Sequence, residues 1–375
     1  MRKFLSVTTS VFALLSANSY GAQFKTLAYV GFDSNPHQLS EQHSYSNELF
    51  AHTSLQSESN FRDIIYWDVN AIKEVFPDDG RADRFTVDAD VKLSLDFELS
   101  DIIYHYGIGV EYQQQDKTFV SRETGLVATL DDTSLANRFD YQGQGYYLHL
   151  DFASSETFNY RFKLSQSSRD FTDYVVTGVD RLDYDSTTLA VGLDLNTTNQ
   201  GRFYADVAFD NRVYLDRMDR DEEGEYVIGS QLEFNRVISS LGYVYQPDED
   251  TKWDYVFRYI NRYSQGTTFY DTQSASIDIE AFYQVADYHI IEGSLSYRTF
   301  YYDEDLNQPY EFFEESEVEQ RGFDIFFGYT WVLATMFETN LGFYVNLEAK
   351  IFDSPDPLFE YEQRKLSLGL RWSLE

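Results

Sequence analysis

Residues 84–99 read Arg84-Phe85-Thr86-Val87-Asp88-Ala89-Asp90-Val91-Lys92-Leu93-Ser94-Leu95-Asp96-Phe97-Glu98-Leu99. From Phe85 onward every odd position is apolar, and the even positions hold Thr86, Asp88, Asp90, Lys92, Ser94, Asp96 and Glu98. Side chains of a strand alternate between its two faces, so this spacing sends all the apolar groups one way and all the charges the other. No helix gathers such a pattern on one face. A strand of a soluble sandwich rarely sustains it for so long, whereas a tilted membrane strand of about ten residues with rim extensions does.

The same period-two pattern returns in Tyr104 to Tyr112, Tyr146 to Phe152, Phe158 to Leu164, Leu189 to Leu195, Phe203 to Phe209 and Trp253 to Tyr259. It continues in Ile277 to Val285, Ile291 to Tyr297, Phe323 to Trp331, Leu341 to Ile351 and Leu366 to Trp372. Phe24 to Phe32, Leu49 to Leu55 and Ile65 to Ala71 alternate more weakly, and a phase change within Leu232 to Tyr245 predicts a β-bulge there. Brief links near Ser57, Ser100, Ser154, Thr198, Asp248, Asp287 and Thr335 alternate with longer polar segments near His37, Asp78, Thr124, Val175, Asp221, Thr267, Asp305 and Pro355. This rhythm is that of short periplasmic turns and long outer loops. The fold class expected is all-β: a transmembrane antiparallel up-and-down β-barrel of about sixteen strands, with fourteen and eighteen left open.

Composition agrees. Of 375 residues 18% are aromatic, with 31 Tyr and 31 Phe, yet mean hydropathy is -0.45 and acidic residues number 63 against 29 basic. A sheet with one face in lipid, the other in water and aromatics at the interfaces accommodates both features. The net charge of -34 argues against nucleic acid as a partner, since phosphates require a basic surface. Cys is absent, so neither a disulfide framework nor a lipid-modified cysteine is present.

Arg2 and Lys3 precede an apolar run from Phe4 to Leu15, and small residues around Gly21 and Ala22 suit cleavage. Residues 1–22 are therefore expected to be a signal peptide and 23–375 a single barrel domain in the cell outer membrane. The apolar run is shorter than a spanning helix requires.

Gly31-Phe32-Asp33-Ser34-Asn35-Pro36 resembles the first-strand-to-loop motif of outer-membrane barrels in the β-barrel porin type 2 and surface-lipoprotein-assembly-modifier groups. Phe359, Tyr361 and Arg364, followed by Leu366, Leu368, Gly369, Leu370 and Trp372, resemble their final hairpin. Together these stretches cover about a tenth of the chain and imply a porin-like barrel rather than an activity. The end of the chain also resembles the recognition signal of the barrel-assembly machinery, although Ser373-Leu374-Glu375 follows the aromatic Trp372.

Extending the parity marks the inward positions. Lumen-lining acids are expected at Asp88, Asp90, Asp96, Glu98, Glu111, Asp151, Asp194, Asp206, Glu233, Asp254, Asp278, Glu280, Glu292, Asp324 and Glu348, faced by Lys92, Arg161, Lys163, Arg258, Arg298, Lys350 and Arg371. Many would pair across strands, but the acid excess implies a field that concentrates cations. Inward aromatics at Tyr147, Tyr204, Phe282, Phe326 and Tyr344 are candidates for a sugar track or for gap filling. Thr118 to Asn137 would be the third outer loop. By resemblance to general porins, Glu123, Asp131 and Asp132 are its constriction candidates.

The acidic runs Asp216 to Glu225 and Asp303 to Glu319 lack the spacing of a calcium loop, so a solvated face is expected in place of a metal site. The six histidines show no metal-ligand spacing, and no nucleophile motif is present. No cofactor and no enzyme activity are expected. The reading favoured is a channel for small hydrophilic solutes, cationic or sugar-like by preference. Export of a polysaccharide or surface delivery of a partner, and a non-conducting structural or adhesive barrel, stay open. Membrane lipid and the assembly machinery are the other partners implied.

Overall fold

The computed structural model describes residues 22–374 apart from 41–46, 62–63, 101, 122–125, 128, 131, 156, 173–180, 198–199, 222–224, 267–270, 287, 303–318, 337–338 and 355–358. The proposed signal peptide, up to Gly21, lies outside the described residues. The strands are β1 (Ala22–Asp33), β2 (Glu48–Phe61), β3 (Ile65–Val75), β4 (Arg84–Leu99), β5 (Ile102–Lys117), β6 (Thr129–Leu130), β7 (Thr133–Ser134), β8 (Tyr141–Ala153) and β9 (Phe158–Phe171). They continue as β10 (Tyr184–Asn196), β11 (Gly201–Tyr214), β12 (Glu233–Tyr245), β13 (Thr251–Ser264), β14 (Thr272–Gln284), β15 (His289–Tyr302), β16 (Glu319–Met336), β17 (Thr339–Asp353) and β18 (Tyr361–Leu374). All except β6 and β7 form one closed antiparallel barrel of sixteen strands, each hydrogen-bonded to its neighbours in sequence, with β1 and β18 joining the ends. The small β6–β7 hairpin sits in the loop between β5 and β8.

The opening stretch is β4, and its alternation is realised as two environments. Val91, Leu95 and Phe97 are exposed on the outer face, while Ser94 between them is buried. The outer face is apolar round the ring, with exposed Val110, Leu148, Leu164, Leu189, Val207, Leu241, Phe257, Ile277, Leu347 and Leu368. So large a contiguous apolar surface is unsuited to water and suited to hydrocarbon. Near the short turns, Phe97, Tyr104, Phe152 and Tyr160 form a chain of ring contacts at centroid spacings of 4.8, 5.2 and 5.2 Å, and Phe203 with Tyr243 continues the theme at 4.4 Å. Such an aromatic girdle marks where a barrel meets the polar interface.

Three expectations need correction. Strand β12 pairs with β11 and β13 without a register shift, so there is no bulge in Leu232 to Tyr245. The apparent phase change arises because Phe234 is an apolar residue turned inward, where it is buried against Tyr214. The register shift in the barrel lies between Val332 and Ala334 of β16. Ser57 and Thr335 lie within β2 and β16, because both strands run further than their alternation suggested. Glu233 shares the outward parity of Val213 at the rim, where it accepts a hydrogen bond from Asn211.

The segment Asp33-Ser34-Asn35 shows why its motif sits where the ring closes. Asp33 is fully buried and directly opposite Lys365 in the β1–β18 register, with Lys365 Nζ at 3.5 Å. Gln363 Nε2 donates to both Asp33 oxygens at 2.9 and 2.7 Å, and the Asn35 backbone N–H donates to Asp33 Oδ1 at 2.9 Å. Asn35 Nδ2 donates to the carbonyls of Leu39 and Glu362 at 2.8 and 2.9 Å, and its Oδ1 accepts from Leu39 N–H at 2.9 Å. Lys365 also reaches Glu74 of β3 at 3.3 Å. A small apolar core of Phe50, Phe76 and Ala82, with Tyr29 beside it, lies against this clasp. In the β3–β4 loop, hydrogen bonds from Arg81 hold the Asp79 carboxyl well below the usual carboxylate range, and Asp79 meets His37 of the first loop at 2.9 Å.

Removing one member of a buried ion pair strands the other, at a cost of about 3–5 kcal/mol. Asp33→Ala should therefore lower the temperature at which the refolded barrel loses its fast, heat-modifiable gel mobility, well beyond the effect of Asp132→Ala in an exposed loop. Equal unfolding temperatures would contradict the clasp.

Candidate functional site

The inward wall is the surface on which solute chemistry has to be sought, and cross-strand register sets its pattern. Opposed residues have Cβ atoms about 4.5–5.5 Å apart, so a row across several strands is a row of neighbours. One row runs Glu58, Asp68, Asp90 and Glu111 across β2, β3, β4 and β5. Like charges set side by side oppose folding, so stability does not account for this arrangement. Glu111 is relieved by Lys163 at 2.6 Å, and Asp90 accepts from the Tyr147 hydroxyl at 3.0 Å. Among the described residues, no hydrogen bond or ion pair reaches the carboxylates of Glu58 and Asp68. The next row places Asp88 between Asn70 and Gln113.

The remaining acids divide by partner. Arg161 lies 2.8 Å from Asp206 and 3.4 Å from Asp194, and Arg298 lies 2.6 Å from Asp324. Asp96 meets His105 at 2.6 Å, Asp254 accepts from Tyr204 at 3.3 Å, and Asp278 accepts from Ser296 at 2.5 Å. Asp88, Glu98, Asp151, Glu280 and Glu348 have no hydrogen bond or ion pair among the described residues. Asp254 and Glu280 are themselves directly opposed, a shorter repeat of the like-charge row.

Basic side chains are nearly as frequent on this face, which the alternation did not reveal. Arg84, Arg169, Arg202, Arg212, Arg236, Arg262 and Lys365 all share the inward parity. Most stand toward strand ends, beyond the apolar repeats that marked the face. Glu58 and Asp68 were missed for a related reason: β2 and β3 carry polar residues such as His52, Ser54 and Thr53 on both faces, and their parity is hard to extend from sequence. Register against β4 resolves it.

Two candidate aromatics have a structural task. Tyr147 is opposite Gly109 and Tyr204 opposite Gly242, and each ring lies over its glycine. A Cβ at either glycine would fall within the ring, so only glycine allows so close an approach. Lys163 and Arg202 lie over the same rings at 4.0 and 5.8 Å. Phe326 and Tyr344 both border Gly328, while Phe282 lies by a recess near the short-turn end that also includes Lys25 and Arg371. The five rings are thus spread over β8, β11, β14, β16 and β17, with only Phe326 and Tyr344 sharing a contact region.

In the loop from Thr118 to Asn137, Glu123 and Asp131 lie outside the described residues. Asp132 is exposed at a positive φ of 62° beside the β6–β7 hairpin. Within the loop, Phe119 N–H donates to the Ala136 carbonyl at 2.6 Å and Ser121 N–H to the Leu126 carbonyl at 2.8 Å. Of the acidic runs, residues 222–224 and 303–318 lie outside the described residues. Among the described residues, no group of three or more His, Asp or Glu side chains is placed to hold a metal ion.

No protein-family model matches the sequence, and no curated protein matches it. Solved structures similar in fold include porins and outer-membrane proteins. They include OccAB1 of Acinetobacter baumannii (8% identity, 95% of this chain and 97% of that one, TM-score 0.45) and a BenF-like porin from Pseudomonas fluorescens (9%, 95% and 99%, 0.44). A bacterial polysaccharide outer membrane secretin is similar at 10% identity, 95% and 98% coverage and TM-score 0.40. At these identities the likeness is one of fold alone.

Overfilling a packed site costs about 1–3 kcal/mol. Gly109→Val should accordingly destabilise the barrel toward urea, and Tyr147→Ala in the same chain should restore part of the loss. Absence of any rescue would contradict the ring-over-glycine packing.

Proposed function

We propose that the chain is a porin-like outer-membrane channel for small hydrophilic solutes, exported through a cleaved signal peptide at residues 1–22. The reading rests on the combination of an apolar outer belt, a closed wall and an inner face dense in charge, which is the division of surfaces a water-filled transmembrane barrel requires. The observation that carries it is the row Glu58, Asp68, Asp90 and Glu111. Such a row is only partly relieved, by Lys163 at Glu111 and Tyr147 at Asp90, and in a narrow aqueous space with low-dielectric walls it raises the local cation concentration.

Cation preference on this reading is local in origin. The chain's large negative charge overstates the field inside, because the inward arginines and lysines offset much of it. What remains is Glu58 and Asp68 together with Asp88, Glu98, Asp151, Glu280 and Glu348, which have no hydrogen bond or ion pair among the described residues. Asp96, Asp194, Asp206, Asp254, Asp278 and Asp324 are held by partners and contribute less. Tyr147 and Tyr204 act as wall fillers, so sugars would be recognised by the polar groups and not by an aromatic track.

Refolded protein in a planar bilayer under a potassium chloride gradient should give a reversal potential of the sign for cation preference. Glu58→Gln with Asp68→Asn should reduce the cation-to-anion permeability ratio by about twofold, since focusing scales with the charge near the passage. Anion preference in the unaltered chain, or no conductance, would overturn the proposal.

A further inference from the structure

The wall opposite in sign to the acid row lies a few strands further round, and its charges are arranged differently. Around a pocket of about 200 Å³ on the inner face, toward the long-loop end, stand Arg169 of β9, Tyr184 of β10, Arg212 of β11 and Arg236 of β12. Two carboxylates line the pocket, Asp210 and Glu111, and both are engaged, Glu111 by Lys163 at 2.6 Å. Asp210 is held by the groups around it. Arg236 Nε donates to it at 2.7 Å and Arg236 Nη2 lies 2.6 Å away, while Thr188 donates at 2.7 Å and Ser186 donates as well. Arg169 donates to the neutral Gln113 at 2.6 Å and has no ion pair among the described residues. Arg212 lies over the Tyr184 ring at 4.1 Å, with Arg169 over the same ring at 5.7 Å. The Nε atom of Arg212 is buried without a hydrogen-bond partner, and among the described residues no acceptor reaches the rest of its guanidinium.

An arginine that stacks on a ring while its donors stay unused is positioned, and what it lacks is an acceptor. A guanidinium presents its donors in a planar fork that matches the two oxygens of a carboxylate or a phosphate. Two such groups beside one ring, with Asp210 held by Arg236 and Glu111 by Lys163, favour a ligand that brings its own negative charge. We infer that the Arg169–Arg212 pair forms a binding site for the oxyanion group of a small solute, a carboxylate or a phosphate, with Tyr184 and the Ser186 and Ser167 side of the pocket beside it. The inference rests on the reading of the inner face as open to solute and adds a substrate class to it. A solute with both an oxyanion and a cationic group would meet this site and the acid row in one passage, because Arg212 belongs to the same cross-strand row, reached from Glu111 through Gly145, Ser167 and Ser186.

The test is calorimetric titration of the refolded full chain in detergent with sodium gluconate, with sodium phosphate, and with sorbitol as a neutral control. Saturable binding of gluconate, phosphate or both, and none of sorbitol, is expected. Gluconate alone would assign the site to carboxylates and phosphate alone to phosphate groups. Loss of a charge-assisted hydrogen-bond donor costs about tenfold in affinity, so Arg212→Gln should weaken binding by about that factor, while Arg298→Gln on another wall should not. Heat-modifiable mobility reports folding of each variant, and Arg169→Gln serves if Arg212→Gln does not refold. No saturable binding of either oxyanion to folded protein, or equal affinity in both arginine variants, would overturn the inference. Binding does not require conductance, so a conducting barrel that fails to bind overturns this site alone, and a binding barrel that fails to conduct overturns only the channel.

Discussion

Closure of the sheet is the constraint on which everything else depends. A strand at an open edge leaves a line of unpaired N–H and C=O groups, and in hydrocarbon those groups have no water to turn to. Joining β1 to β18 removes both edges at once. The joint is reinforced at its loop end by a charge pair, Asp33 with Lys365, whose remaining hydrogen-bonding capacity is met by Gln363 and the Asn35 N–H. Asn35 then turns the chain back over the seam, with its side-chain amide bonded on both sides. The short motif around Asp33 is therefore a structural fastening, which explains why it speaks of a barrel and not of an activity.

Once the ring is closed, each strand has one face for lipid and one for the interior, and the two faces obey different rules. The outer face needs only to be apolar, with aromatics at its margins. The inner face must fit charges, rings and glycines together, and it does so in cross-strand rows. Tyr147 over Gly109 and Tyr204 over Gly242 fill the wall, Arg161, Lys163 and Arg298 neutralise acids across strands, and Glu58 and Asp68 stand opposed without an ion pair among the described residues. On the proposed function, the inner acids left without a hydrogen bond or ion pair among the described residues, Glu58 and Asp68 with them, are the feature that would give the passage its preference for cations.

How much of this was legible in the sequence follows from the same division. Strand β4 could be read because its lipid face is unbroken, and the strand count followed from repeats of that pattern and from the alternation of short and long links. The inner face was read only where the outer face was strong. Hence Asp88 and Glu111 were found, whereas Glu58, Asp68 and Arg212 were not: they lie in strands or strand ends where both faces are polar. The supposed bulge in β12 has the same origin, since Phe234 is an apolar side chain placed inward. Partnerships such as Lys163 with Glu111, separated by 52 positions, depend on register and on tilt, which no local pattern encodes.

The central claim is a wall with lipid on one side and water on the other, and the absence of cysteine makes it directly measurable. Single cysteines placed in turn at Val91, Lys92, Leu93 and Ser94, spin-labelled and reconstituted in lipid vesicles, should show oxygen accessibility highest at Val91 and Leu93. Accessibility to a water-soluble nickel chelate should be highest at Lys92, and the two profiles should alternate with period two and opposite phase. High access to the chelate at Val91 and Leu93, or profiles without alternation, would contradict the account.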